Sequence, residues 1–151
     1  AVDASPTALS VATANATRLH ARVEFLLSDW FSSLQGRQFD VIVSNPPYIA
    51  QDDAHLSLGD LPCEPRSALA AGTDGLDDLR RIVASAGPHL QPDGFLLLEH
   101  GWDQCDAVRA LLENAGFMQT LTLADLAGLP RIGIGGELSS LSRSSDATSN
   151  R

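Results

Sequence analysis

The feature that most constrains the fold is an alternation of short apolar runs with segments of helical periodicity. Apolar runs predict strands, and these cover residues 1–3, 23–27, 39–43 and 94–99. Between them, apolar residues recur every three or four positions from Ala8 to Leu19 and from Leu76 to Ala86, as in amphipathic helices. Strands that alternate with helices predict an α/β fold with a doubly wound, mostly parallel sheet.

Capping residues and composition set the expected boundaries. Ser5-Pro6 has the form of an N-cap followed by proline at the first helical position, and Gly87-Pro88 is expected to end the second helix. A third helical face, an alternating segment and a short last strand follow at residues 108–115, 117–123 and 131–135. From Ser139 onward the chain is rich in Ser, Thr, Asn, Asp and Arg. We therefore expect one catalytic domain over residues 1–138 and a disordered tail over residues 139–151.

The composition of the chain indicates which kinds of protein and which binding partners are compatible with it. The 151 residues suffice for one domain, and no apolar run approaches the ~18 residues that span a bilayer. The net charge is −9, which weighs against direct binding to nucleic acid. Cys63 and Cys105 lack metal or redox spacing, and the histidines show no ligand spacing. We expect reduced thiols in a cytoplasmic protein and no metal site.

Polar groups follow three successive predicted strands. They are Asp3, the pair Asp29-Trp30, and the turn Asn45–Tyr48. Ligands of parallel α/β sheets bind at the carboxyl ends of the strands, so these groups are candidates for one site. Asp3 can accept hydrogen bonds from a ribose, Asp29 can accept one from an exocyclic amine, and Trp30 can stack on a purine. The alternatives are that Asp3 caps the following helix and that Trp30 covers the edge of the core.

The turn Asn45–Tyr48, here called the NPPY turn, carries the sharpest chemical signal. Proline fixes φ and lacks a donor, so the Asn45 side-chain oxygen and the Pro46 carbonyl become two fixed acceptors. Two such acceptors can hold both N–H groups of a planar NH₂, and Tyr48 can lie against its flat face. The arrangement orients the nitrogen of an amide or aromatic amine toward a methyl donor. The alternative is a rigid Pro-Pro turn that only ends a strand.

The segment Val43–Ile49 resembles the active-site motif of class I S-adenosylmethionine-dependent methyltransferases that act on planar amino groups. Within that class the chain is similar to the release-factor glutamine methyltransferases, the HemK/PrmC type, from Ala1 to about Gly136. The segments Ala1–Pro6, Asp29–Phe31 and Glu64–Leu76 carry the rest of the likeness. The last of these favours this family over nucleic-acid enzymes that share the NPPY turn.

The resemblance implies a cofactor, a substrate and a role for each site residue. S-adenosyl-L-methionine would be bound by Asp3 at its ribose, by Asp29 and Trp30 around its adenine, and by Asn45. The NPPY turn, Asn45, Pro46, Pro47 and Tyr48, would hold the side-chain amide of the Gly-Gly-Gln glutamine of a peptide chain release factor. Asn45, Pro46 and Tyr48 would be the catalytic residues. A methyltransferase that acts on a nucleic-acid base, or an inactive fragment, remains the alternative.

One departure from the family pattern concerns the cofactor. The family carries a glycine-rich loop after its first strand and a helical N-terminal domain, and neither has a counterpart in these 151 residues. Gly133, Gly135 and Gly136 do not replace that loop, since no helix is predicted to follow them. We therefore expect an N-terminally truncated form of the enzyme.

Overall fold

A computed structural model describes residues 1–54, residue 65 and residues 68–138. The chain divides into two compact units, Ala1–Arg37 and Gln38–Arg151, which we call unit 1 and unit 2. The predicted tail at 139–151, together with Cys63 and Glu64, lies outside the described residues. The single domain over residues 1–138 therefore stays a prediction. No helix within the described ranges has the length and apolar character needed to cross a bilayer.

Unit 1 is a small β-α-β arrangement. It contains β1 (Val2–Asp3), α1 (Pro6–Arg18) and β2 (Leu26–Leu27), and the two strands pair in parallel. The predicted cap is confirmed: the Ser5 side chain accepts a hydrogen bond from the Ala8 amide at 3.2 Å, and proline begins the helix. The strand predicted from Val23 was too long. β1 offers only two residues for pairing, so only two residues of β2 complete a ladder.

Unit 2 contains four strands in the order β3-β4-β6-β5. The strands are β3 (Phe39–Ser44), β4 (Leu90–Glu99), β5 (Phe117–Ala124) and β6 (Pro130–Leu138). β3 and β4 are parallel, whereas β6 is antiparallel to both β4 and β5. Because β4 and β5 are both antiparallel to β6, three of these four strands run in the same direction and β6 is reversed, so the prediction of a mostly parallel sheet is confirmed. The turn between β5 and β6 is too short for a crossover, so these strands form an antiparallel hairpin.

Two helices accompany this sheet. They are α2 (Asp77–Ala86), extended by a single 3₁₀ turn at Gly87–His89, and α3 (Cys105–Asn114). The predicted stop at Gly87-Pro88 thus falls at the change from α to 3₁₀ geometry. β4 begins at Leu90 instead of Gly94, because Leu90 already pairs with Phe39 across a bulge. β6 is longer than predicted, because it has a paired neighbour on each side.

The core of unit 2 lies on one face of the sheet. Buried residues of both helices pack there with two fully buried strand residues; they are Leu79, Ile82, Val83, Ala86, Val108, Leu112, Leu96 and Leu98. Glycines in β6 permit close packing, because a Cβ at Gly133 would lie 2.8 Å from Val108. The opposite face carries Val43 at 72% and Leu121 at 58% exposure.

Because one face of the sheet is buried and the other exposed, a leucine-to-alanine substitution should lower the free energy of unfolding by different amounts on the two faces. Leu98→Ala removes a fully buried side chain and is expected to lower the free energy of unfolding by about 2–5 kcal/mol. Leu121→Ala removes an exposed one and is expected to cost less than about 1 kcal/mol. Urea unfolding of both variants measures the difference, and equal losses would contradict the assignment of faces.

Candidate active site

The strand ends of unit 1 bring Asp3 beside the segment that follows β2. The Ser28 amide donates to the Asp3 carbonyl at 3.0 Å, which extends the parallel ladder past Leu27. The Asp3 carboxylate is exposed, and its Oδ1 accepts from the Ser5 amide at 2.7 Å. The carboxylate therefore supports the start of α1, as one alternative predicted, and still faces solvent at the carboxyl edge of the pair.

A buried serine shapes the turn that carries Asp29 and Trp30. Ser28 is 4% exposed; its hydroxyl donates to the Trp30 carbonyl at 2.8 Å and accepts from the Ser33 amide at 3.0 Å. Trp30 adopts a left-handed backbone conformation with φ of 49°, which costs a non-glycine residue about 1–2 kcal/mol. Ser28 was missed by sequence reasoning, because a strand-end serine gives no sign of its partners.

The NPPY turn follows β3 in unit 2 and lines an open pocket of about 250 Å³. Asn45 is exposed and Pro46 is buried, while Pro47 and Tyr48 are half-buried. Within the described residues, nothing donates a hydrogen bond to the Asn45 side chain or to the Pro46 carbonyl. The two acceptors expected from the sequence thus stand at a cavity with no internal donor among those residues.

Backbone pairing after the turn supplies the opposite wall of the pocket. The Ile49 amide donates to the Leu69 carbonyl at 3.0 Å, and the Ala71 amide donates to the Ile49 carbonyl at 3.0 Å. These bonds form a parallel bridge between Ile49 and Ala70. They bring Ala68 and Leu69 to the pocket, although both lie far along the chain from the turn.

The Tyr48 side chain is held by residues from β4 and β6. Its hydroxyl donates to Glu99 Oε1 at 3.0 Å and accepts from Arg131 Nη2 at 3.3 Å. The Arg131 guanidinium lies 5.5 Å from the centroid of the Tyr48 ring, within cation–π range. Burial and the hydrogen bond to Glu99 raise the pKa of Tyr48, and the positive charge of Arg131 opposes that rise.

The main chain of Tyr48 is held separately by Gln104. Gln104 Nε2 donates to the Tyr48 carbonyl at 3.0 Å and to the Asp74 carbonyl at 3.2 Å, while its Oε1 accepts from the Gly101 amide at 2.8 Å. Gly75 approaches the same carbonyl with φ of 73°, and a Cβ there would lie 2.3 Å from the Tyr48 oxygen. Sequence reasoning missed Gln104 and the partner roles of Glu99 and Arg131. No spacing signal links residues so far apart.

An ion pair stabilises the turn that contains Gly75. Asp74 accepts from the Leu76 amide at 3.1 Å and from Arg80 Nη2 at 2.5 Å. The hydrogen bond from Arg80, helped by the one from the Leu76 amide, lowers the pKa of Asp74 to about 2. The charged form of Asp74 therefore helps to hold the glycine against the Tyr48 carbonyl.

The candidate residues are thus divided between the two units. Asp3 and Asp29-Trp30 belong to unit 1, where parallel pairing brings them together, and Asn45, Pro46, Pro47 and Tyr48 belong to unit 2. In the part of the chain that the structure describes, no group of three or more His, Cys, Asp or Glu residues could hold a metal ion. The roles of the candidate residues in both units, toward a cofactor or a substrate, stay predictions.

Comparison with known proteins shows which family this chain resembles. The sequence profile of the family described as "Methyltransferase small domain" matches residues 1–72. A release factor glutamine methyltransferase of Pseudomonas aeruginosa is 54% identical over 136 residues, which cover 89% of this chain and 49% of that relative. One of Bordetella pertussis is 52% identical over 133 residues, which cover 87% of this chain and 49% of that relative. This chain is a homologue of the release factor glutamine methyltransferases.

The likeness stated from the sequence is confirmed by this homology, and the α/β fold is confirmed by a solved structure. A methyltransferase from Pyrococcus furiosus superposes with a TM-score of 0.66 at 15% identity, covering 91% of this chain and 61% of that one. At that identity the likeness concerns the fold alone. The chain spans about half the length of the curated relatives it matches.

The packing at Gly75 predicts a large effect of a small substitution. Gly75→Ala places a methyl group against the Tyr48 carbonyl at a positive φ and is expected to cost more than about 2 kcal/mol. Gly128→Ala is the matched control, because Gly128 has φ of 80° with nothing within 4 Å; only the conformational cost of about 1 kcal/mol is expected. Chemical denaturation measures both, and equal costs would contradict the close approach.

The low pKa of Asp74 predicts an acid-dependent contribution to stability. Because the folded-state value of about 2 lies below the unfolded value of about 3.9, the contribution is complete above the unfolded value and is lost as the pH falls toward 2. The difference in unfolding free energy between the wild type and Asp74→Asn should therefore shrink between about pH 4 and pH 2. A difference that stays constant over this window would overturn the assignment.

Proposed function

We propose that this chain carries the catalytic site of a release factor glutamine methyltransferase, which moves a methyl group from S-adenosyl-L-methionine to the side-chain amide of a glutamine. The observation that carries the proposal is the NPPY turn at the pocket of about 250 Å³. Two acceptors, the Asn45 side-chain oxygen and the Pro46 carbonyl, and an immobilised aromatic ring line this pocket, in a chain homologous to enzymes of that name. A primary amide matches this geometry, because it is planar and offers two N–H donors.

The chain's part in the reaction is to hold and orient the amide. The Asn45 side-chain oxygen and the Pro46 carbonyl accept its two N–H groups, and the Tyr48 ring lies against its flat face. In the transfer a nitrogen–carbon bond forms, the sulfur–methyl bond breaks, and the nitrogen loses one proton. Positive charge grows on the nitrogen as the bond forms, and oriented acceptors stabilise it without any need for a strong base.

The residues of unit 1 fit an adenosine group. Asp3 presents an exposed carboxylate at the end of β1, where it can accept from ribose hydroxyls while Ser5 holds one of its oxygens. Asp29 and Trp30 follow the neighbouring parallel strand, and Trp30 keeps a strained conformation that Ser28 supports. Strain of this kind is found where a side chain must be aimed. When bound, S-adenosyl-L-methionine supplies the electrophilic methyl group.

We take the partner from the names of the relatives. Those proteins are called release factor glutamine methyltransferases, so we infer that the glutamine belongs to the Gly-Gly-Gln loop of a peptide chain release factor and that the enzyme works in the cytoplasm. The net charge of −9 is better suited to a protein substrate than to a phosphate backbone.

Methyl transfer to purified release factor tests the proposal. The assay uses labelled S-adenosyl-L-methionine with the chain itself and with a chimera in which it replaces its matched 136-residue region of the P. aeruginosa relative. Label is expected on the glutamine amide. Asn45→Ala removes one acceptor and is expected to lower kcat about 100-fold or more. Asn114→Ala, exposed at the end of α3, should leave the rate unchanged.

Two substrate controls make the assay decisive. A release factor whose Gly-Gly-Gln glutamine is replaced by glutamate lacks the NH₂ group and should take up no label. DNA and ribosomal RNA are offered in parallel. Label on nucleic acid alone, or methylation of the release factor at another residue, would overturn the proposal. An inactive chimera that still binds the release factor and the cofactor would equally overturn the role given to the NPPY turn.

A further inference from the structure

We propose that Arg131 is a positioning residue for the substrate amide, acting through the Tyr48 ring. Arg131 is the second residue of β6, far along the chain from the NPPY turn, and sequence reasoning assigned it no part in the site. The inference rests on the proposed function for what the pocket binds. The geometry that carries it belongs to unit 2 alone.

The first step concerns the Tyr48 hydroxyl. It donates its hydrogen to Glu99 and accepts from Arg131, so its one donor is used and a cation occupies an acceptor position. Tyr48 therefore acts in the pocket through its ring, and the hydroxyl serves as the anchor point. Glu99 and Arg131 come from neighbouring strands, β4 and β6, which gives the anchor a rigid base.

The second step concerns the two faces of the ring. The Arg131 guanidinium, 5.5 Å from the ring centroid, occupies one face in cation–π geometry. A flat amide stacked on Tyr48 must then use the other face. Arg131 thus decides which face of the ring is offered to the substrate and prevents the ring from turning away from Asn45.

The third step concerns what holds Arg131 itself. Its Nη1 donates to the His100 carbonyl at 3.3 Å, and its Nε lies 3.8 Å from Asp125 Oδ2. The side chain is 28% exposed. Together with the hydrogen bond to the Tyr48 hydroxyl, these two contacts fix the planar guanidinium group. A lysine ammonium cannot reproduce this geometry. Lysine at this position would keep the positive charge. It would lose the planar group over the Tyr48 ring and most of the hydrogen bonds that the guanidinium makes.

The test uses the fact that Tyr48 is the only tyrosine in the chain. With ¹³C-labelled tyrosine, NMR signals of the 151-residue chain report this ring alone. Arg131→Met is expected to shift those signals and to raise the pKa of Tyr48, because the opposing positive charge is gone. Arg131→Lys should restore the pKa in part but not the ring shifts. Arg109→Met is the control, since Arg109 pairs with Asp106 on α3 and should change neither quantity.

Kinetics separate positioning from mere stability. In the methyl-transfer assay, Arg131→Met is expected to lower kcat about 10- to 100-fold with little change in KM for the cofactor. In a Tyr48→Ala background the same substitution should have almost no further effect, because the ring through which it acts is absent. Circular dichroism and thermal unfolding check that each variant is folded.

The outcomes are distinguishable. If Arg131→Met leaves the tyrosine signals and their titration the same as Arg109→Met does, the contact is absent and the inference is overturned, whatever the activity. If the ring signals move but the kcat losses of Arg131→Met and Tyr48→Ala simply add, Arg131 acts independently of the ring and the positioning role is wrong. If the ring signals move and no methyl transfer to release factor occurs, the proposed function fails while the Arg131–Tyr48 contact stands.

Discussion

The parallel register between β3 and β4 is the constraint on which the candidate site of unit 2 depends. Ser44 pairs with Leu98, so β3 and β4 end beside each other. The next residue of each chain segment, Asn45 after Ser44 and Glu99 after Leu98, is polar. A shift of one residue would turn each side chain to the other face of the sheet. The Tyr48 hydroxyl could then no longer meet Glu99, and the NPPY turn would lose its anchor.

Around that register the structure uses two independent sets of contacts for one tyrosine. Gln104 and Gly75 hold its carbonyl, whereas Glu99 and Arg131 hold its ring. Prolines restrict the backbone before it, because each fixes φ. The proposed role, which is to orient a weakly nucleophilic amide, gains from such rigidity, because correct orientation of the reacting groups lowers the barrier to the reaction.

In unit 1, too, side-chain hydrogen bonds hold a turn that follows a strand. Its strands are only two residues long, so strand pairing alone fixes little of the turn that holds Asp29 and Trp30. The Ser28 hydroxyl fixes the backbone of that turn through its hydrogen bonds to the Trp30 carbonyl and the Ser33 amide. Helix α1 buries none of its residues, in contrast to α2 and α3 of unit 2. Most of the packing energy of the described chain therefore resides in unit 2, where the NPPY turn lies.

Sequence by itself determined the α/β class, the helix start at Ser5-Pro6 and the end of β3 at the NPPY turn, because periodicity, capping and proline geometry are local properties. It also placed Asp3 and Asp29-Trp30 at strand ends. Only the tertiary structure decided the reversed direction of β6, the exposed face with Val43 and Leu121, and the partners of Tyr48. Those depend on contacts between residues distant in the chain, as between Tyr48 and Arg131, and no local pattern encodes which strand will lie beside which.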